Sequence, residues 1–124
     1  MVPSNQNELI KMINTSLLIN DYPSAFRYPR GIGILNEDEN NNIAIEIGKG
    51  YIAKEGSEVA ILNLGTRLES CFEALKILEH NNIYPTLADA RFAKPLDLKL
   101  IDTLLDNHKF ILTIEEGSIG GFGS

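Results

Sequence analysis

"VAILNLGTRLESCFEALKILEHNNIYPTLADA", residues 59–90, contains an apolar strand, an amphipathic helix and a second apolar strand in direct succession. The continuous apolar run "VAILNL" is typical of a strand that is buried on both faces. Thr66 and Glu69 fit a capping box at the start of the helix, which we expect to end near His80. The inner face of this helix is predicted to comprise Leu68, Phe72, Leu75 and Leu78. The whole stretch predicts parallel strands joined by a right-handed crossover.

The same alternation continues toward the end of the chain. Residues 84–90 predict the second strand, and "FILTI", residues 110–114, predicts a third. Asp97 is a suitable cap for the helix between them. The inner face of that helix is predicted to comprise Leu98, Ile101, Leu104 and Leu105. Strands and helices in this order predict an α/β domain of three layers with a mainly parallel sheet.

A different pattern precedes this domain. Residues 7–19 predict an amphipathic helix whose apolar stripe comprises Leu9, Ile13 and Leu17. Residues 24–28 predict a short strand that ends at Pro29. "YIAK", residues 51–54, predicts a strand that follows the Gly-rich turn "GKG". A further short strand before that turn is indicated by alternating isoleucines, at Ile43, Ile45 and Ile47.

A polar stretch separates the two patterns. Residues 36–42 have no apolar side chain, and we predict an interdomain linker at residues 35–42. Residues 1–34 are then the end of one domain, and residues 43–124 are most of a second domain that is incomplete at its C-terminus. We expect the chain to be an internal piece of a longer polypeptide.

Composition limits the function classes. The net charge of −6 argues against a general surface for nucleic acid or anionic membrane, because such surfaces need clustered lysine and arginine. The apolar content of 44% is that of a globular protein, but no apolar run approaches the length of a membrane span. Cys71 is the only cysteine, and the first residues lack the pattern of a signal peptide. These features predict a soluble, cytoplasmic protein.

Two features after the third strand resemble functional motifs. "GSIGGFG", residues 117–123, could cradle a phosphate, but its spacing differs from dinucleotide and P-loop motifs, which favours a structural turn. Glu115 and Glu116 are adjacent at the end of a strand and are predicted to point to opposite faces. One of them could be a catalytic carboxylate, although a structural role at the strand tip is favoured because the sequence shows no partner.

Other polar residues favour structural roles. Alternation places Asp89 and Arg91 on one face, where they could form an ion pair. His80 and His108 each follow or end a predicted helix, where the helix dipole favours a cation. Cys71 lies beside an apolar stripe and is predicted to be a small core residue. No metal-ligand spacing and no catalytic Ser-His-Asp or Cys-His arrangement is indicated.

"RYPRG", residues 27–31, is the strongest candidate for ligand binding. Arg27 and Arg30 follow a predicted strand, and the proline between them stiffens the backbone. Gly31 allows a ligand or another chain to approach the backbone closely. A guanidinium group donates two parallel hydrogen bonds to phosphate or carboxylate. The residues alone leave an anion site and an interdomain salt bridge equally open.

Five motifs together carry a family resemblance: "PSAFRYPRG", "IGKG", "VAILNLGTRL", "ADARFAKPLD" and "EEGSIGGFGS". In this order and spacing they resemble the 1-deoxy-D-xylulose-5-phosphate synthases, thiamine-diphosphate enzymes of the transketolase superfamily. The resemblance extends over about residues 7–124. It implies that residues 1–34 are the end of the middle, pyrimidine-binding domain, and that residues 43–124 are a transketolase C-terminal-type domain.

The resemblance also implies an activity for the complete enzyme. Members condense pyruvate with D-glyceraldehyde 3-phosphate, release CO₂ and form 1-deoxy-D-xylulose 5-phosphate for non-mevalonate isoprenoid, thiamine and pyridoxal synthesis. They use thiamine diphosphate and Mg²⁺ and are homodimers. Of the family positions that touch substrate, only Arg30 is matched here, and it resembles the arginine that grips the aldehyde's phosphate. Catalytic, cofactor and metal residues belong to parts of the family sequence that precede residue 1, so the 124 residues alone are expected to be inactive.

Two alternatives remain open from the sequence. The chain could belong to another member of the superfamily, a transketolase or a component similar to the β subunit of 2-oxoacid dehydrogenases. It could instead be an α/β interaction domain without catalytic function.

The 124-residue chain is expected not to bind thiamine diphosphate. The cofactor's diphosphate needs Mg²⁺ held by oxygen ligands, and the chain has neither the Gly-Asp-Gly segment nor the downstream asparagine of the family motif. Its own net charge of −6 also repels the anion. Titration calorimetry with Mg²⁺ and cofactor should show no binding heat, and a micromolar dissociation constant would contradict this expectation.

Overall fold

The computed structural model describes residues 1–31, 43–117 and 119–124 of the chain. The predicted linker, residues 35–42, lies outside the described residues, so the domain boundaries at residues 34 and 43 stay predictions. The described part forms one four-stranded sheet with three helices.

The sheet confirms the predicted mainly parallel α/β fold. Its strand order is β1-β3-β2-β4, with β2 parallel to both neighbours and β1 antiparallel to β3. The strands are β1 (Tyr51–Lys54), β2 (Glu58–Leu64), β3 (Thr86–Asp89) and β4 (His108–Glu115). β2 occupies the centre because its residues are apolar on both faces, as "VAILNL" predicts.

Helices cover the two faces of the sheet. One core cluster joins Ile61 and Leu87 to the inner face of α2 (Leu68–His80). The other cluster lies on the opposite face, where Ala60 and Leu62 meet Leu104 of α3 (Leu98–Asn107). Successive residues of β2 therefore alternate between two separate apolar layers, and this produces the three-layer arrangement.

The chain leaves the carboxyl ends of β2 and β3 in opposite directions, since α2 and α3 lie on opposite faces. Such a divergence opens a crevice between two neighbouring parallel strands. Here the first residues of the chain fill that crevice. Val2 is buried in the α3-side core cluster, and its amide donates to the carbonyl of Arg91, just after β3.

Gly65, directly after β2, makes this filling possible. Its φ of 93° lies in the left-handed region, and a Cβ atom there would lie 2.8 Å from Val2 Cγ1. Only glycine adopts this conformation without strain and leaves room for the valine.

The N-terminal helix α1 (Gln6–Leu17) is confirmed, but its predicted stripe is wrong. Leu17 is 73% exposed, whereas the buried residues of the helix are Asn7, Glu8, Met12 and Thr15. Polar contacts determine which face of the helix is buried. Glu8 forms an ion pair with Arg91, and the Thr15 hydroxyl accepts a hydrogen bond from the amide of Ile45.

Four local predictions are also wrong. Residues 24–28 and 43–46 are not assigned as strands, although the amide of Arg27 donates to the carbonyl of Met1. Thr66 and Glu69 form no capping box, because α2 begins after Arg67 without a side-chain cap. β3 is shorter than residues 84–90, since Tyr84 is exposed and precedes the pairing with β2.

The inner face of α3 is narrower than predicted. Asp97 caps this helix as expected, accepting a hydrogen bond from the amide of Leu100. Leu104 is fully buried, with Leu100 and Ile101 partly buried beside it, but Leu98 and Leu105 face the solvent. A ten-residue helix contacts the sheet along one narrow stripe, so residues on either side of this stripe do not reach the core.

β4 is an edge strand with an uncovered apolar face. Phe110 and Leu112 are 68% and 52% exposed on the α2 side of the sheet, whereas Ile114 at the end of the same strand packs against the α2 cluster.

Truncation of the two adjacent leucines in α3 should have very different effects. Leu104→Ala opens a cavity in the core and should lower the free energy of unfolding by about 3 kcal/mol. Leu105→Ala, which removes a side chain that is 58% exposed, should change it by less than about 0.5 kcal/mol. Urea denaturation of both variants provides the measurement. Equal losses would show that the helix contacts the sheet through the wider face.

Candidate functional site

The predicted substrate arginine lies on an extended segment, residues 25–31, called here the arginine arm. Two backbone hydrogen bonds fix its first half, from the N-terminal ammonium to the carbonyl of Ala25 (2.8 Å) and from the amide of Arg27 to the carbonyl of Met1 (3.0 Å). The rings of Phe26 and Tyr28 stack with centroids 6.1 Å apart. The arm is thus an ordered extended segment, although it belongs to no sheet.

The arm runs past the carboxyl ends of the central strands. Arg27, Tyr28 and Pro29 line a cavity of about 140 Å³ together with Val2, Thr66 and Glu116. Thr66 follows β2 and Glu116 follows β4, so the cavity lies at the end of the sheet where α/β proteins bind ligands. The sequence alone did not predict that Val2, Thr66 and Glu116 lie beside the arm.

Arg30 itself is exposed at the end of the arm. Among the described residues its guanidinium has no ion-pair or hydrogen-bond partner. A Cβ atom built on Gly31 meets no atom of the described residues within 4 Å, so the space beside this glycine is open. An unpaired guanidinium group with free space around it can accept a phosphate or carboxylate without first breaking another contact.

Glu115 and Glu116 form the rim of a second, open depression with Arg67 and Gly117, of about 660 Å³. β4 ends at Glu115 and Glu116 lies in the bend that follows, so the alternation of a strand does not apply to the pair. Glu116 forms an ion pair with Arg67 (3.0 Å), and Glu115 accepts a hydrogen bond from the amide of Gly123. These contacts correspond to the structural role that the sequence favoured.

The glycine-rich stretch after β4 turns back on the strand. Gly120 has a φ of 87°, and the amide of Gly123 reaches Glu115 (3.1 Å), while Ser118 lies outside the described residues. No helix follows within residues 119–124, so no helix N-terminus is available there to bind a phosphate.

A buried polar cluster lies beside the filled crevice. The guanidinium of Arg91 donates two hydrogen bonds to the Glu8 carboxylate, at 2.7 and 2.8 Å, and its Cζ lies 4.2 Å from the centre of the Tyr51 ring. The Glu8 side chain is only 4% exposed. The predicted pair of Asp89 and Arg91 is not formed by their side chains. Arg91 has a φ of 56°, which breaks the alternation of the strand and turns its side chain toward α1.

Asp89 is left as a buried carboxyl without a cationic partner of its own. It is fully buried, and its Oδ1 accepts a hydrogen bond from the amide of Arg91 (3.0 Å). Burial, above all, raises the pKa of Asp89 to about 6. Burial and then the charge of Asp89 raise the pKa of Tyr51 to about 12. Because Asp89 cannot reach solvent, this cluster serves to hold the fold together and offers no access to a substrate.

The remaining candidates occupy structural positions. The Cys71 thiol is buried, and burial, followed by the charge of Asp89, raises its pKa, which makes it a poor nucleophile. His80 contacts the carbonyl of Lys76, and His108 contacts the Thr86 hydroxyl. No group of three or more His, Cys, Asp or Glu side chains within residues 1–31, 43–117 and 119–124 is arranged to hold a metal ion.

The helices of the described part are all too short or too polar to cross a membrane. The sequence prediction that no membrane span is present agrees with this finding.

Comparison with known proteins gives consistent matches. The family model of the transketolase C-terminal domain matches residues 48–124, which include all four strands. The whole chain is 49% identical to "1-deoxy-D-xylulose-5-phosphate synthase 1, chloroplastic" of Cannabis sativa, and it spans 18% of that relative's length. A solved structure described as "Split gene transketolase, inactive beta4 tetramer" superposes with a TM-score of 0.65 at 34% identity, over 73% of this chain and 31% of that one. These matches confirm the resemblance predicted from the five motifs.

The buried carboxyl predicts an unusual pH dependence. Because the pKa of Asp89 is raised to about 6 in the folded chain, the folded state binds this proton more tightly than the unfolded state. Its contribution to stability is therefore complete below pH 4 and is lost as the pH rises through 6. Asp89→Asn cannot ionise, so the stability of the variant relative to the parent should increase by about 2–3 kcal/mol between pH 4 and pH 7.

Urea denaturation at several pH values measures this difference. Asp106→Asn, which removes an exposed carboxyl of α3, supplies the reference for the loss of a surface carboxyl. A difference between Asp89→Asn and the parent that is constant with pH, or that decreases as the pH rises, would show that Asp89 is not held protonated by its burial.

Proposed function

Because the chain belongs to the transketolase C-terminal domain family, we propose that it is part of a 1-deoxy-D-xylulose-5-phosphate synthase. The complete enzyme would condense pyruvate with D-glyceraldehyde 3-phosphate, with loss of CO₂, to 1-deoxy-D-xylulose 5-phosphate. This product would supply non-mevalonate isoprenoid, thiamine and pyridoxal synthesis. The complete enzyme would act as a cytoplasmic homodimer.

One observation carries the choice of the synthase within the superfamily. The family model covers only residues 48–124, whereas the similarity to the synthase from Cannabis sativa covers 100% of the chain at 49% identity. The similarity therefore includes residues 1–47, with helix α1 and the arginine arm. These residues lie outside the region that the family model of the transketolase C-terminal domain matches.

Within this function, Arg30 is assigned to the phosphate of the aldehyde substrate. The proline before it and the backbone hydrogen bond from Arg27 to Met1 limit the backbone's freedom, while the exposed guanidinium has no ionic or hydrogen-bond partner within residues 1–31, 43–117 and 119–124. Its planar fork can donate two hydrogen bonds to one phosphate. The chain's net charge of −6 makes a local cation necessary for anion binding. Arg27, whose backbone is bonded to Met1, is assigned a mainly structural role.

The cofactor of the complete enzyme would be thiamine diphosphate with Mg²⁺. The described residues do not fit this group, since they provide neither a cluster of metal ligands nor the diphosphate motif. The binding residues would come from other parts of the complete protein. The contribution of this chain is to orient the aldehyde through its phosphate.

The match to a split-gene transketolase favours one alternative, a transketolase-type ketol transfer. The complete protein, supplied with pyruvate and D-glyceraldehyde 3-phosphate, distinguishes the two. Formation of CO₂ and a deoxypentulose phosphate supports the synthase. Transfer from a ketose phosphate without decarboxylation supports the transketolase.

Removal of the Arg30 guanidinium should impair phosphate recognition selectively. In the complete enzyme, Arg30→Ala should raise KM for D-glyceraldehyde 3-phosphate and leave KM for pyruvate unchanged, because pyruvate has no phosphate. The loss of a charge-assisted bidentate contact should lower kcat/KM by roughly 30- to 150-fold. Steady-state kinetics with D-glyceraldehyde, which lacks the phosphate, should show a far smaller change.

Arg27→Ala on the same arm is the matched control. It should not alter the preference for the phosphorylated aldehyde. Equal losses with both aldehydes in Arg30→Ala, or a change confined to pyruvate, would refute the phosphate assignment.

A further inference from the structure

We propose that the ion pair between Glu8 and Arg91 positions the arginine arm, so that both residues govern affinity for the phosphorylated substrate without touching it. The inference rests on the proposed function of Arg30. It makes Glu8 and Arg91 positioning residues, which act through the N-terminal segment that fills the crevice between β2 and β3.

Arg91 holds this segment at two points. Its guanidinium binds the Glu8 carboxylate on α1, and its backbone carbonyl accepts a hydrogen bond from the amide of Val2 at 2.8 Å. The two attachment points, Val2 and Glu8, are six positions apart and flank residues 3–7. Two simultaneous attachments fix both the position and the direction of the residues between them.

The segment in turn holds the arm. Met1 precedes Val2 directly, and its carbonyl accepts a hydrogen bond from the amide of Arg27 on the arm at 3.0 Å. Arg30 follows three residues later, after the rigid Pro29. A continuous chain of contacts therefore runs from Arg91 through Val2 and Met1 to the arm. Each of these hydrogen bonds joins backbone to backbone, and such a contact transmits a displacement better than a flexible side chain does.

The environment of the pair makes it the tightest link. The side chains of Arg91 and Glu8 are 16% and 4% exposed, so neither has enough water to replace its partner. Two parallel hydrogen bonds between a guanidinium and a carboxylate also fix the relative orientation of the groups. If the carboxylate is removed, the buried guanidinium has to move toward solvent or toward Asp89. Either movement displaces the backbone that holds Val2.

Neutralisation of Glu8 should therefore reproduce part of the Arg30 defect at a distance. In the complete enzyme, Glu8→Gln should lower kcat/KM for D-glyceraldehyde 3-phosphate by about 10-fold or more, because displacement of a binding group by about 1 Å can cost ~100-fold. KM for pyruvate and the kinetics with D-glyceraldehyde should change little. Glu58→Gln, which breaks the exposed pair with Lys109 at the opposite end of the strands, is the control and should change neither.

Three further variants exclude a general loss of structure. Arg91→Lys keeps the positive charge but loses the planar group that donates two parallel hydrogen bonds, so it should give an intermediate defect. This variant takes the place of Glu8→Gln in the experiment if Glu8→Gln does not fold. The exchanged pair Glu8→Arg with Arg91→Glu should restore phosphate preference. In the Arg30→Ala background, Glu8→Gln should have no additional effect on the ratio of kcat/KM between the two aldehydes, because its action passes through Arg30.

Hydrogen exchange separates this inference from the proposed function. In the complete enzyme, Glu8→Gln should accelerate exchange at the amide of Arg27, whatever the substrate is. Unchanged exchange, or additive losses in the Glu8→Gln and Arg30→Ala double variant, overturns the positioning role while leaving the phosphate assignment of Arg30 intact. Faster exchange together with an Arg30→Ala variant that does not discriminate between aldehydes supports the positioning role and refutes the proposed function.

Discussion

The divergence of α2 and α3 from neighbouring parallel strands is the constraint on which the rest of the structure depends. It opens a crevice between the carboxyl ends of β2 and β3, which in many α/β proteins receives a ligand. Here Val2 and its neighbours occupy that place, and Gly65 leaves the room for them. The first residues of the chain are therefore part of the core of a domain whose strands begin about fifty residues later. The crevice therefore attaches the first residues of the chain to the domain, where in many α/β proteins it would bind a ligand.

Burial of the attachment determines its electrostatics. Arg91 and Glu8 neutralise each other in a nearly dry environment, where a single unpaired charge would cost several kcal/mol. Asp89 beside them has no such partner, so burial raises its pKa to about 6, and a proton can supply the compensation. The same region therefore contains one buried ion pair and one carboxyl whose raised pKa makes its charge sensitive to pH.

The sequence predicted correctly those features that are determined by residues close together in the chain. The apolar runs of β2 and β4, the apolar face of α2 and the Asp97 cap were all predicted correctly, because neighbours in sequence decide them. The buried face of α1 could not be predicted, since it is chosen by Arg91, which is 83 residues away from Glu8 in the sequence. The position of the arginine arm depends on the same contact. The phosphate-binding role proposed for Arg30 comes from a family motif, and the geometry adds that the residue is exposed and has no ionic partner in the described part of the chain.

The left-handed backbone of Arg91 has a consequence for which substitutions this position can accept. A φ of 56° costs an ordinary residue about 1 kcal/mol, and glycine would remove that cost. Glycine would also remove the guanidinium that joins α1 to the sheet. Glycine would thus give the least strained backbone at this position, whereas arginine is needed to attach the N-terminal segment. Because a buried, unpaired Glu8 would cost about 3–5 kcal/mol, against about 1 kcal/mol gained in the backbone, a mutant library selected for thermal stability should keep arginine at this strained position.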